Sequence, residues 1–167
     1  YKEFSVVLTA PSKTFNLAGL QTSNIIIANE KLRKVYQETM NRYGVNEPNF
    51  LGIIACMTAY NECELWVDEM LEYVYDNFTY FDEFLKENLP HIHLVKPEGL
   101  YLGWVDFREC GLNKDELEKT MLEKAGLWLD EGYIFGTGGE GFERFNLAIP
   151  RSVLEDACQR LLKAFGK

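Results

Sequence analysis

Lys13 lies in the string APSKTFNLAGL with a hydroxyl on either side, Ser12 and Thr14. A primary amine attacks a carbonyl carbon and forms a Schiff base when its position is accessible and partly desolvated. The flanking hydroxyls are suited to holding a phosphate beside it. Spacing alone is a weak signal, because a lysine in a polar loop is most often simply solvated. Metal chemistry has less to stand on. The chain holds two histidines, His91 and His93, and four scattered cysteines, Cys56, Cys63, Cys110 and Cys158, with no CxxC pair. A zinc site would need distant ligands. The HIH pair sits in the strand-like HIHLV and reads as solvated or structural.

The elements around Lys13 follow from hydropathy patterning. The aliphatic runs at residues 6–8 and 25–28 predict two buried strands of an α/β layer. Between them SKTFNLAGLQTSN is too polar and glycine-interrupted for core, which places Lys13 on a loop at strand ends. Helical spacing covers residues 30–43, with Gly44 as the C-terminal cap, and residues 46–49 with Pro48 break the pattern. A second, more apolar helix spans residues 50–60. A third starts near residue 61 or 62 with Trp66, Met70, Tyr73, Val74, Phe81 and Leu85 on one face.

After Pro90 the pattern changes to a β-hairpin, HIHLV then LYLGWVDF. Asn113 with Glu116 forms a capping box that starts DELEKTMLEKA, ended by Gly126. A short strand, GLWLDEGYIF, the cluster GTGGEG and the strand ERFNLAI lead to Pro150. Ser152 with Glu155 repeats the capping-box pattern ahead of a last amphipathic helix. The second part of the chain therefore reads as helices covering one face of a largely antiparallel sheet, and the whole as α/β with an α+β C-terminal domain.

With 26 acidic against 17 basic residues the formal net charge is -9. That field repels phosphate backbones and anionic lipid surfaces, so neither nucleic acid nor a membrane is an expected partner. The run NIIIAN is far too short to cross a bilayer, and the first residues lack the pattern of a signal peptide. A chain opening directly into strand-like residues suggests truncation. Few, scattered cysteines fit a reducing cytoplasm.

APSKTFNLAGLQTSN resembles the cofactor-lysine segment of fold type I, aspartate-aminotransferase-like pyridoxal phosphate enzymes, in particular the MalY and PatB type of cystathionine β-lyase-like enzymes. The order of AYNECELWVDEMLEYVYDN, PEGLYLGWVDFRE and GEGFERFNLAIPRSVLEDACQRL extends the resemblance almost end to end. It implies that Lys13 joins the aldehyde of pyridoxal 5'-phosphate and then moves the proton at the substrate α-carbon. It implies Ser12 as a contact to the cofactor phosphate. It implies Arg144, at the start of the strand before the last helix, as the fork-shaped cation that orients the substrate α-carboxylate.

Arg151 is the nearby alternative to Arg144 and reads as a surface residue. Relatives of the aminotransferase type carry an arginine eight residues after the lysine, where this chain has Gln21; that departure favours the lyase-like branch. GTGGEG reads as a flexible loop ahead of Arg144 that closes over substrate. A phosphate cradle is disfavoured there by the following strand and by Glu140 and Glu143.

The resemblance also implies domain organisation: residues 1–61 as the C-terminal part of the large cofactor-binding domain, and residues 62–167 as the small C-terminal domain. It implies a C-S β-lyase, with an aminotransferase as the alternative, acting on a small amino acid within a full-length homodimer. The family's aspartate, aromatic and phosphate contacts come from segments N-terminal to the lysine. Without them the fragment itself is expected to be a folded, catalytically silent domain.

Overall fold

The structure, a computed structural model, describes residues 1–45 and 47–166. Asn46, the first residue of the expected break, lies outside the described residues. The chain divides into two compact units, Tyr1–Glu69 and the residues from Met70 on.

The first unit begins with an antiparallel ribbon of β1 (Val7–Thr9) and β2 (Asn24–Ile26), in which Val7 faces Ile26. Both strands were expected to be buried, and they are not: Val7, Leu8 and Ile26 are 49%, 67% and 57% exposed. The two short strands pair only with each other, and of the two aliphatic runs only Ile27, just past β2, is buried. Helix α1 (Glu30–Tyr43) starts where the Asn29 side chain accepts from the N–H groups of Lys31 and Leu32, and ends at left-handed Gly44 (φ 65°). Helix α2 (Phe50–Glu62), capped by Asn49, is apolar on every side, yet buries only Gly52, Cys56 and Ala59. Its Phe50, Leu51 and Met57 are exposed.

Helix α3 (Glu64–Asn88) runs through the division between the units. In the second unit its Val74, Phe78, Phe81, Phe84 and Leu85 are buried, whereas Tyr73, expected on that face, is 45% exposed. The sheet has the order β3-β4-β6-β5, antiparallel throughout: β3 (His93–Val95), β4 (Leu102–Asp106), β6 (Phe142–Asn146) and β5 (Asp130–Glu131). Alternation along the strands sends Val105 and Phe145 into a core with α3, α4 (Lys114–Lys119) and α5 (Arg151–Phe165). Phe81, Phe107, Leu154 and Leu161 are all but fully enclosed there. Each such side chain stabilises the unit by roughly 1.5–3 kcal/mol.

The expected capping box at Asn113 and Glu116 is present, and α4 continues as a π-helical turn, Thr120–Ala125, to left-handed Gly126. The one at Ser152 and Glu155 is not. Helix α5 begins at Arg151, with Pro150 as its cap residue, so Ser152 already lies inside the helix. The Arg151 N–H instead donates to Tyr73 Oη at 2.7 Å.

Asn77, fully buried on α3, ties the sheet to the helices. Its Nδ2 donates to the carbonyls of Leu147 and Ile149, each at 2.9 Å, and its Oδ1 accepts from Arg151 Nε at 2.8 Å. Arg151 also lies over the Tyr80 ring at 4.7 Å, so it is a bracing residue of the fold rather than a free surface charge. Asn77→Ala strands two carbonyls and a guanidinium N–H, and is expected to cost on the order of 2–4 kcal/mol in urea unfolding of the second unit; a loss below about 0.5 kcal/mol would contradict this account of the contact.

Candidate active site

Lys13 sits on a single tight turn. Pro11 is buried, its carbonyl accepts from the Phe15 N–H at 2.9 Å, and the Ser12 carbonyl accepts from the Leu17 N–H at 3.1 Å. Asn16 takes a left-handed conformation (φ 54°), which asparagine tolerates better than most residues. Phe15 anchors the turn, edge-on to Tyr60 at 5.4 Å and stacked on Trp66 at 6.4 Å between centroids. The Lys13 side chain is exposed, with Ser12 half-buried beside it.

The loop then passes against α2 at Gly52. A Cβ there would stand 1.9 Å from Thr22 Oγ1 and 3.0 Å from the Leu20 carbonyl oxygen, so only glycine permits this approach. Helix α2 therefore holds both ends of the lysine loop, through Tyr60 and through Gly52.

Arg144 lies at the centre of the uncovered sheet face of the second unit. The register sets Trp104 of β4 on one side of it and Asp130 of β5 on the other. Its Nε donates to Asp130 Oδ2 at 3.1 Å, and its Nη2 donates to the same oxygen. The guanidinium stands over the Phe135 ring at 4.5 Å. Phe135 meets Trp104 edge-on at 5.7 Å, Trp104 stacks on Phe142 at 5.4 Å, and Arg108 covers Phe142 at 4.7 Å while pairing with Asp106. An aromatic row thus runs between two arginine–aspartate pairs. The hydrogen bonds from Arg108 hold the Asp106 carboxyl below its usual range.

Part of the glycine cluster before Arg144 packs closely on its surroundings. The Gly132 and Gly139 backbones pack so closely that a Cβ on Gly139 would stand 2.0 Å from the Gly132 carbonyl oxygen. The Gly141 carbonyl accepts from the Phe107 N–H at 2.8 Å. Gly139 and Gly141 are thus held against neighbouring backbone at the entry to β6, while nothing packs within 4 Å of a Cβ position at Gly136 or Gly138.

Directly behind Arg144, on the core side, Glu143 is 2% exposed. Its cross-strand partner is Glu131, and Glu118 of α4, which accepts from Tyr133 Oη at 3.2 Å, lines the same small cleft as Glu143. Burial, reinforced by Glu131, Glu118 and Asp130, pushes the Glu143 carboxyl up from 4.5 to about 7. Burial likewise raises the Cys158 thiol to about 12, which leaves it protonated and unreactive. Among the described residues no group of three His, Cys, Asp or Glu side chains is placed to hold a metal ion, and the His93 ring meets Glu109 at 3.3 Å.

The structure brings Ser12 and Lys13 together on one turn, and Arg144 together with Asp130, Phe135 and Trp104 in the second unit. Asp130, Phe135 and Trp104 went unnoticed in the sequence. Period-two alternation in LGWVD and FERFN places Trp104 and Arg144 on polar-face positions, and that signal could have paired them once the strand order was known.

No family model matches the chain. It is 37% identical to the cystathionine β-lyase PatB of Bacillus subtilis over 99% of its own length and 43% of that protein. It is 32% identical to the protein MalY of Escherichia coli over 95% of its length and 41% of MalY. Among solved structures, cystalysin from Treponema denticola, which contains pyridoxal 5'-phosphate, superposes with a TM-score of 0.93 at 40% identity, over 98% of this chain and 41% of that one. The chain is therefore similar in sequence and fold to part of fold type I pyridoxal phosphate enzymes. The proteins it matches include enzymes of the cystathionine β-lyase type, and it spans less than half of their length.

Glu143 gives a pH dependence whose sign is fixed. Below pH 4.5 the carboxyl is protonated whether the chain is folded or not; between 4.5 and about 7 the folded form keeps a proton that the unfolded form has lost. Stability therefore falls as pH rises through that window, by at most about 3 kcal/mol. Urea unfolding at several pH values is expected to show this decline in the unsubstituted protein and a flatter profile in Glu143→Gln; equal slopes would contradict the assignment.

Proposed function

We propose that the full-length protein carrying this chain is a pyridoxal-phosphate-dependent C-S β-lyase that cleaves a thioether amino acid such as cystathionine to a thiol, pyruvate and ammonia. The observation that carries this reading is Arg144: a guanidinium over an aromatic ring at 4.5 Å on the sheet face away from the core, beside a strand corner of closely packed glycines. That arrangement suits a planar carboxylate. Lys13 is an exposed amine on a braced turn next to the Ser12 hydroxyl, which fits an aldehyde-bearing phosphate ester.

Pyridoxal phosphate, when bound, supplies the electron sink that stabilises charge developing at the substrate α-carbon. Lys13 would hold the cofactor aldehyde, and its amine would take and return the proton at the substrate α-carbon. Ser12 contacts the cofactor phosphate. Arg144 binds the α-carboxylate and so fixes which bond at the α-carbon is presented to the amine. Residues 1–61 are the end of the large cofactor-binding domain and residues 62–167 the small domain. The full-length protein is a cytoplasmic homodimer. Few, scattered cysteines agree with that compartment.

The isolated chain is catalytically silent. The bare apolar surfaces of α2 and of the β1–β2 ribbon, and a span of 43% of the PatB length, favour this. The full-length protein given cystathionine is expected to release pyruvate without any added keto acid. Lys13→Ala should lower that rate by about 10²- to 10⁴-fold. The isolated chain should release none. A strict requirement for a keto-acid acceptor would replace the lyase with an aminotransferase.

A further inference from the structure

A guanidinium has two edges that can each bind a carboxylate, one formed by Nε and Nη2 and the other by Nη1 and Nη2. In Arg144 the first edge is taken. Both Nε and Nη2 point at the same oxygen, Oδ2 of Asp130. Nη1 has no partner among the described residues. Asp130 is a cross-strand partner of Arg144, so the pairing is set by backbone register rather than by a chance meeting of long side chains. The Phe135 ring, 4.5 Å away, restrains the guanidinium face, and Trp104 in turn backs Phe135.

The ring lies over the guanidinium, and the aspartate holds its Nε/Nη2 edge. The two restraints leave one two-pronged edge unpaired. Arg144 is 31% exposed and Asp130 50%, so a small carboxylate in solution can reach this edge.

We propose that Asp130 is a positioning residue for the substrate carboxylate: it occupies the Nε/Nη2 edge of Arg144 and thereby presents the Nη1/Nη2 edge to the α-carboxylate of an amino acid. The inference rests on the reading of Arg144 as the carboxylate-binding residue. Asp130 remains paired while substrate is bound; it is not a competitor that substrate must displace.

Steady-state kinetics on the full-length protein test this with cystathionine and with a thioether analogue whose α-carboxylate is a carboxamide. Asp130→Ala is expected to raise the KM for cystathionine about tenfold and change kcat less than about threefold. It should leave the KM for the carboxamide unchanged. Asp130→Asn keeps an acceptor for the same edge and is expected to recover most of the lost affinity. The half-exposed position predicts an unchanged melting temperature, separating this effect from a structural one.

Arg144→Lys is the control for the underlying reading. If it leaves the KM for cystathionine unchanged, the carboxylate-binding role of Arg144 fails and the role of Asp130 fails with it. If Arg144→Lys raises KM while Asp130→Ala does not, Arg144 stands and the positioning role alone is overturned. A lower KM in Asp130→Ala would instead make Asp130 a competitor for the guanidinium and also overturn the proposal.

Discussion

The register of β6 between β4 and β5 is the constraint on which the second unit depends. Because side chains alternate across a strand, it places Phe145 and Glu143 toward the helices and Arg144 and Phe142 on the open face. A slip of one residue would bury Arg144 in an apolar core and expose Phe145. The ion pair with Asp130 and the aromatic row through Trp104 both require the register as it stands. The same register forces Glu143 beside Glu131, so the arrangement that presents a cation on one face confines carboxylates on the other.

Three devices hold that register. The glycines of the preceding corner allow the backbone contact between Gly132 and Gly139 and give β6 a fixed entry. Asn77 binds the carbonyls of Leu147 and Ile149 just past the strand and fixes its exit. Between them, Val105 and Phe145 anchor the core face. The first unit is organised differently. Its lysine turn is braced by Phe15 and by the notch at Gly52, while the strands on either side of the loop and most of α2 remain open to solvent. Apolar faces of that extent mark surfaces for association.

Locally encoded features were legible in the sequence. The Gly44 cap and the capping box at Asn113 are made by residues within a few positions of one another, and they stand where the spacing put them. Features that depend on distant partners were not. Asn77 is a polar residue within an aromatic-rich helix, and nothing nearby says that its partners lie some seventy residues further on. Ser152 looked like a cap because the pattern around it is correct, but the helix starts one residue earlier, where Tyr73 supplies the contact. The two strands of the first unit lie within two residues of the expected bounds, yet their burial was overestimated because apolar runs do not reveal whether a covering layer is there. Of the candidate site, spacing gave Lys13 only as one exposed lysine; the family resemblance singled out Lys13, Ser12 and Arg144, and the strand register added Asp130, Phe135 and Trp104.

In the proposed function Lys13 is the one amine that joins the cofactor. Borohydride reduction of the full-length protein with pyridoxal phosphate, followed by proteolysis and mass mapping, tests that claim most directly. A single stoichiometric adduct on the peptide containing Lys13 is the predicted result. An adduct on another lysine, or label spread over several with Lys13 unmodified, would contradict it.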